Sequence, residues 1–228
     1  MKTFSKNQLA TAIAILFHAI GMIGILFFKS EAFIKTTPLN LLLMAGLLLY
    51  THQKINTAFI VFFIICFIAG IAVEIIGTSS GWLFGNYSYG PILGPSIKEV
   101  PLIIGINWFI IIYCCGISIN TMLTKLTAKL SEQTGKPSKT IQTLSVVVDG
   151  ATLAVLLDWL IEPVAVKLGY WQWLESGEIP VYNYLCWFAI SMLLLFVFQR
   201  LSFNKQNKFA VNLLLIQAMF FLLLRTFL

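Results

Sequence analysis

Residues Ala58–Ile76 read AFIVFFIICFIAGIAVEII, and the residues behind them, Gly77–Tyr89, read GTSSGWLFGNYSY. The first stretch has the length a helix needs to cross the hydrocarbon of a bilayer, about 20 residues. Near its end stands Glu74, an ionisable side chain in an otherwise apolar run. A charge at that depth costs a few kcal/mol, so such a group faces a cavity, finds a partner and marks a working site. Behind it the sequence turns abruptly to glycine and aromatic residues.

The rest of the chain repeats the pattern of this run. Of 228 residues, 59% are hydrophobic and 11% charged, whereas a soluble domain carries roughly 25% charged residues. The expected fold is an all-α, polytopic transmembrane bundle, a single integral membrane domain over residues 1–228. Apolar spans are expected at Leu9–Phe28, Ala58–Ile76, Val100–Met122, Ile141–Ile161, Val181–Gln199 and Phe209–Phe227. A seventh, Pro38–Tyr50, rises only about 20 Å as a helix and crosses if it borrows Thr36 and Thr37 before it and Thr51 to Gln53 after it. The first span follows Lys2 and Lys6 but lacks a small-residue cleavage pattern, so it is expected to be retained.

Seven spans sort the basic residues unequally. Lys2, Lys6, Lys54, Lys125, Lys129, Lys136, Lys139, Arg200, Lys205 and Lys208 fall on one side, and Lys29, Lys35, Lys98, Lys167 and Arg225 on the other. Lys and Arg are enriched in cytoplasmic loops, which places the basic linker Thr124–Thr140 inside. The segments Gly77–Glu99 and Glu162–Pro180 then lie together on the far side. The net charge of +6 reads as topology and contact with anionic membrane lipids, with no nucleic-acid partner. The expected location is the cell (plasma or inner) membrane.

The remaining composition narrows the chemistry. Cys66, Cys114, Cys115 and Cys186 all lie in apolar spans without paired loop spacing, as small buried hydrophobes do. Only His18 and His52 are present, too few for a histidine-rich di-iron centre, and His18 reads as a packing residue. No metal site and no cofactor are expected. Glu31, Glu132, Glu175 and Glu178 fall in linkers and read as solvated. Glu74, Glu99, Asp149, Asp158 and Glu162 lie in or beside spans. Asp158 and Glu162, four residues apart, share one helix face. Asp149 faces the other way, about 13 Å deeper. In a chain that alternates sides, Glu74 ends its helix on the same membrane face as Asp158 and Glu162, so three carboxyls can converge at one level. They either form a reactive site or pair with nearby Trp, Asn or Lys groups and order helix packing.

Two loops flank these acids. Gly77–Pro95 carries five glycines together with Trp82, Phe84, Tyr87 and Tyr89; the second loop and the helix after it carry Tyr170, Trp171, Trp173, Tyr182, Tyr184 and Trp187. Trp and Tyr settle at the headgroup level of any membrane protein. Their concentration on one side, next to acids, also suits a ring-lined pocket for a lipid-like substrate.

At these positions the chain resembles a known family. Glu74-Ile75-Ile76-Gly77, Gly81, Phe84-Gly85, Tyr87, Tyr89, Gly94, Val100-Pro101, Asn107-Trp108, Asp158, Pro163, Trp171-Gln172-Trp173, Ile179-Pro180, Asn183 and Trp187 are similar, in this order, to the membrane carotenoid-biosynthesis family that includes the CruF-type carotenoid 1,2-hydratases. The resemblance covers about Val73–Trp187; the first two spans and the last carry no such motif. Ser80-Gly81 stands where Thr-Gly is expected. The resemblance implies an acyclic, lycopene-like carotenoid substrate and a cofactor-independent hydro-lyase. A carboxylic acid protonates the terminal double bond, and water captures the resulting tertiary carbocation. Glu74 and Asp158 are the implied acid and water-positioning base, in either order, with Glu162, Asn183 and Asn107 as polar support. Ring faces such as Trp82, Tyr87, Trp171 and Trp173 stabilise the cation; Phe84, Tyr89, Trp108 and Trp187 complete the implied pocket, and Asp149 and Glu99 are secondary candidates. Another membrane isoprenoid enzyme is a rival, although prenyl transfer needs Asp-rich clusters for Mg²⁺ and diphosphate. A proton-coupled carrier of lipids or small molecules is a second rival and should show inverted repeats; no internal duplication is visible.

Overall fold

The computed structural model describes residues 4–28, 30–134, 138–174 and 177–228, the side chains of 130–134 excepted. Lys2, Lys29, Lys136 and Glu175 lie outside the described residues, as does the side chain of Glu132. Eight helices are present among the described residues: α1 Lys6–Leu26, α2 Glu31–Lys35, α3 Thr37–Thr51, α4 Thr57–Ser80, α5 Ile103–Thr134, α6 Lys139–Lys167, α7 Val181–Arg200 and α8 Lys208–Phe227. Six of them, all but α2 and α3, are long and apolar enough to cross a membrane. The chain is a multi-pass helical membrane protein.

The helices begin where polar side chains cap them. Ser5 and Gln8 form a reciprocal capping box on α1, Asn56 accepts from the Phe59 amide at 2.9 Å on α4, and Asn207 accepts from Phe209 at 3.0 Å on α8. Such caps satisfy amides that have no partner within the helix. Helix α4 stops at Gly81, whose φ of 65° turns the chain left-handed so that its amide closes on the Gly77 carbonyl, a conformation cheap only for glycine.

Helix α5 is the axis of the bundle. It packs against α3, α4, α6, α7 and α8, and every residue from Trp108 to Ile117 is buried. A helix apolar on all sides belongs in such a place. The other long helices turn apolar residues outward, such as Ile15, Ile64, Leu193 and Leu215. Short α3 runs between the two ends of the bundle. Thr37 at its start meets the Tyr170 hydroxyl at 2.5 Å, and Thr51 at its end accepts from the Asn207 amide at 3.1 Å.

Three features depart from the sequence expectation. The stretch expected as a basic linker, Thr124–Thr140, is helical up to Thr134 and again from Lys139. Asn120 already bonds Lys205 in the α7–α8 connection, so the last turns of α5 rise about 20 Å beyond that level. Helix α6 continues through Pro163 to Lys167, taking in the start of the expected second loop. Proline has no amide hydrogen for the carbonyl four residues back, and that carbonyl, Trp159, accepts instead from the Arg225 guanidinium at 2.5 Å. Finally, the bundle is not purely helical. Strand β1 (Tyr87–Tyr89), β2 (Ser96–Ile97), β3 (Val100–Pro101) and β4 (Trp171–Trp173) form two small antiparallel sheets, β1 with β4 and β2 with β3. Lys98 and Glu99 make the tight turn between β2 and β3 with φ of 47° and 68°, values of a type I′ hairpin.

Candidate active site

The two aromatic loops are zipped together. In the β1–β4 ladder Tyr87 is opposite Trp173, Ser88 opposite Gln172 and Tyr89 opposite Trp171. Side chains alternate faces along a strand, and both strands read aromatic, polar, aromatic. The four rings therefore share one face while Gln172 bonds Ser88 on the other at 3.2 Å. The ring face covers the ends of α4 and α6, where the acids are.

Glu74, Asp158 and Glu162 are 5%, 2% and 3% exposed. All three line one cavity of about 30 Å³, room for a water molecule or two. Their hydrogen bonds differ. Glu74 accepts from three donors: the Tyr87 hydroxyl, the Tyr89 hydroxyl at 2.7 Å and the Trp108 indole N–H at 3.0 Å. Glu162 also accepts from three, the indoles of Trp171 at 3.0 Å and Trp173 at 3.2 Å and the Asn183 amide at 3.2 Å. Among the described residues Asp158 accepts from one, the same Asn183 amide at 3.1 Å. No Lys or Arg lies within ion-pair distance of these carboxyls among the described residues. Burial and the neighbouring Glu74 carboxyl push the phenols of Tyr87 and Tyr89 up, so both hydroxyls stay protonated and serve as donors.

Packing fixes these donors in place. The Trp108 ring lies against Gly70, one turn before Glu74; a Cβ on Gly70 would come within 2.6 Å of the indole. Its other face stacks on Trp187, with centroids 3.9 Å apart and planes 7° off parallel. Phe84, Ile104, Asn107, Ile161 and Trp187 complete the lining. The side chain of the half-buried Asn107 makes no hydrogen bond among the described residues, which leaves its amide group available to whatever occupies the cavity.

The structure brings together the carboxyls and rings expected from the sequence, with one exception. Trp82 is 75% exposed, and its hydrogen bonds run through its backbone: the amide donates to the Ser80 hydroxyl at 3.1 Å and the carbonyl accepts from the Tyr182 hydroxyl at 2.9 Å. Its position just after the left-handed Gly81 swings the ring outward. Neither secondary candidate lines the cavity: Asp149 is exposed on the opposite face of α6, and Glu99 is exposed at the β2–β3 turn. Sequence reasoning missed Ile104 and Ile161, ordinary apolar residues that carry no signal of their own. It also missed the pairing of the loops, although the alternation of Tyr87-Ser88-Tyr89 and Trp171-Gln172-Trp173 was readable as a strand pattern.

The other polar residues of the spans have quieter surroundings. The four cysteines are free and buried. His18 bonds the Ala14 carbonyl at 2.8 Å and meets Phe220 edge-on. Glu31 is exposed and pairs with Lys35, and Glu178 is exposed. Among the described residues no group of three or more His, Cys, Asp or Glu side chains is arranged to hold a metal ion.

No solved structure matches the chain. A bisanhydrobacterioruberin hydratase of Haloarcula japonica is 24% identical over 155 residues, 67% of this chain and 47% of the relative. The chain thus spans about half the length of that relative. The family model described as carotenoid biosynthesis protein matches residues 36–228, extending well beyond the motifs at Val73–Trp187 to take in α3 and α8. With a match over most of its length and the acid-lined cavity inside the matched region, the chain belongs to the carotenoid biosynthesis protein family.

Proposed function

We propose that the protein adds water to the terminal 1,2 double bond of an acyclic, lycopene-like carotenoid, giving a tertiary alcohol, with Asp158 as the proton donor. The observation that carries this reading is the unequal supply of hydrogen bonds to three carboxyls around one water-sized cavity. A carboxylate that accepts several N–H and O–H donors is held in its charged form. Glu74 and Glu162 each have three such donors, while Asp158 has one. Asp158 is therefore the carboxyl with an oxygen left to carry a proton, and sites of this kind keep one buried acid neutral as a donor.

The reaction balances without any further reagent. Asp158 protonates the less substituted carbon of the double bond, and the positive charge falls on the tertiary carbon. The ring faces of Tyr87, Trp173 and Trp187 stabilise that charge. Two nearby carboxylates add electrostatic stabilisation in a site shielded from bulk water. A water held by Asn107 attacks the cation, its surplus proton passes to Glu74, and transfer back through cavity water restores Asp158. A terminal isoprenyl group is larger than the cavity, so the substrate enters as the paired aromatic loops part. We assign the chain to the cell membrane with the acid end away from the cytoplasm; the concentration of basic residues at the opposite end supports this orientation.

Expression in a host that accumulates lycopene tests the function. The expected result is a pigment heavier by the mass of one water. Unchanged lycopene, with the protein present in the membrane fraction, would overturn the proposal.

A further inference from the structure

A second and much larger cavity, of about 400 Å³, lies between α1, α2, α3 and α8, a volume typical of small-molecule sites. Its walls are mostly apolar, among them Phe17, Ile25, Phe33 and Phe220. At its rim Phe17, Ile20 and Leu39 are exposed where lipid would lie, so the cavity opens sideways to the bilayer. It sits at the acid end of the bundle. Thr37, which lines it, meets the Tyr170 hydroxyl, and the next residue, Trp171, donates to Glu162.

Two polar side chains of this cavity, His18 and Asn40, each offer it a hydrogen-bond acceptor. His18 directs Nδ1 at the Ala14 carbonyl, so Nδ1 carries the proton and Nε2 of the neutral ring is an acceptor. Asn40 Oδ1 is buried without a hydrogen-bond partner among the described residues. Thr36 already donates to the Phe33 carbonyl, and Thr37 is engaged with Tyr170. A buried acceptor left unpaired costs roughly 1–3 kcal/mol, which a ligand bringing a donor would recover. No carboxyl lines this cavity.

We infer that this cavity receives the hydroxyl-bearing end of an apolar isoprenoid chain, and that its occupant is the tertiary alcohol released from the acid site. The identity of the occupant rests on the hydratase reading above. The chemical reason for a second chamber is microscopic reversibility. An alcohol left beside a proton-donating carboxyl is protonated and loses water again, whereas one moved to a chamber that offers it an acceptor and no carboxyl keeps its hydroxyl.

Binding of 1-hydroxylycopene and of lycopene to the detergent-purified protein, followed by quenching of tryptophan fluorescence, tests the inference. With turnover blocked by Asp158→Asn, the protein should prefer the alcohol by about tenfold, the effect of one buried hydrogen bond. Asn40→Leu should abolish that preference. Gly21→Leu should weaken 1-hydroxylycopene about tenfold, because Gly21 lines the cavity and a Cβ there meets only Phe220 at 3.9 Å, leaving the added side chain to fill the space. Equal affinities for alcohol and hydrocarbon in the Asp158→Asn protein, or an unchanged preference when Asn40→Leu is added to it and the protein remains folded, would overturn it. Failure of the hydratase reading shows separately, as lycopene of unchanged mass in the expressing cells, and leaves the hydroxyl preference measurable.

Discussion

The two ends of the bundle bury polar groups in different ways. At the basic end His52, Tyr113, Thr51 and Asn207 form a cluster without carboxyls: His52 meets the Tyr113 hydroxyl at 2.8 Å, Asn207 donates to Thr51 at 3.1 Å, and Phe59 stacks on His52 at 4.0 Å. At the acid end three carboxyls share a cavity without a cation. Both networks are largely hydrogen-bonded, with the buried His52 Nε2 of the basic end left without a partner among the described residues. What separates them is surplus charge and empty space, neither of which helix packing requires. The basic-end cluster ties α3, α5 and the start of α8 together, and the acid end retains costly groups that packing alone would have replaced.

The largest effect should come from removing the acids while keeping their shape. Asp158→Asn is expected to lower turnover by about 10²–10⁴-fold, the usual contribution of a general acid, and Glu74→Gln to lower it severely as well. Both proteins should still elute as the wild type does on size exclusion; full activity in both would end the contrast between the two ends. Trp173→Phe keeps a ring but removes one of three donors to Glu162, and pigment analysis should show a loss of about tenfold, one hydrogen bond to a charged group.

At the other end the sign of the experiment reverses. Asn207→Leu should lower thermal stability in detergent by about 1–2 kcal/mol, the upper range for a hydrogen-bonding residue in a membrane bundle, with turnover per folded molecule unchanged. A loss of turnover without a loss of stability would mean that the basic end takes part in the chemistry. The smallest effect should be that of Trp82→Ala. Its ring points away from the cavity, and product yield should match the wild type.

How much of this was legible in the sequence follows from the kind of signal each feature leaves. The crossing helices show as apolar runs, so their cores were placed within a few residues. The far end of α5 was not, because hydropathy falls after Met122 while helix-forming residues such as Leu123, Lys125, Leu126 and Ala128 continue; hydropathy reports the bilayer, not the helix. Alternation of sides placed Glu74 with Asp158 and Glu162. The role of each acid was not legible, since it depends on which donors reach which oxygen. Tyr87 and Trp173 lie far apart in the chain, and only the β1–β4 ladder brings their hydroxyl and indole to different carboxyls. Trp82 misled because a motif position does not reveal the direction of a ring after a left-handed turn.

The most direct test of the account is the origin of the product's oxygen. Purified protein given lycopene in heavy-oxygen water, under air, should yield a tertiary alcohol that carries the heavy oxygen, with the reaction unaffected when dioxygen is removed. An alcohol whose oxygen comes from dioxygen, or lycopene left unchanged by folded protein, would contradict the claim that these three carboxyls add water.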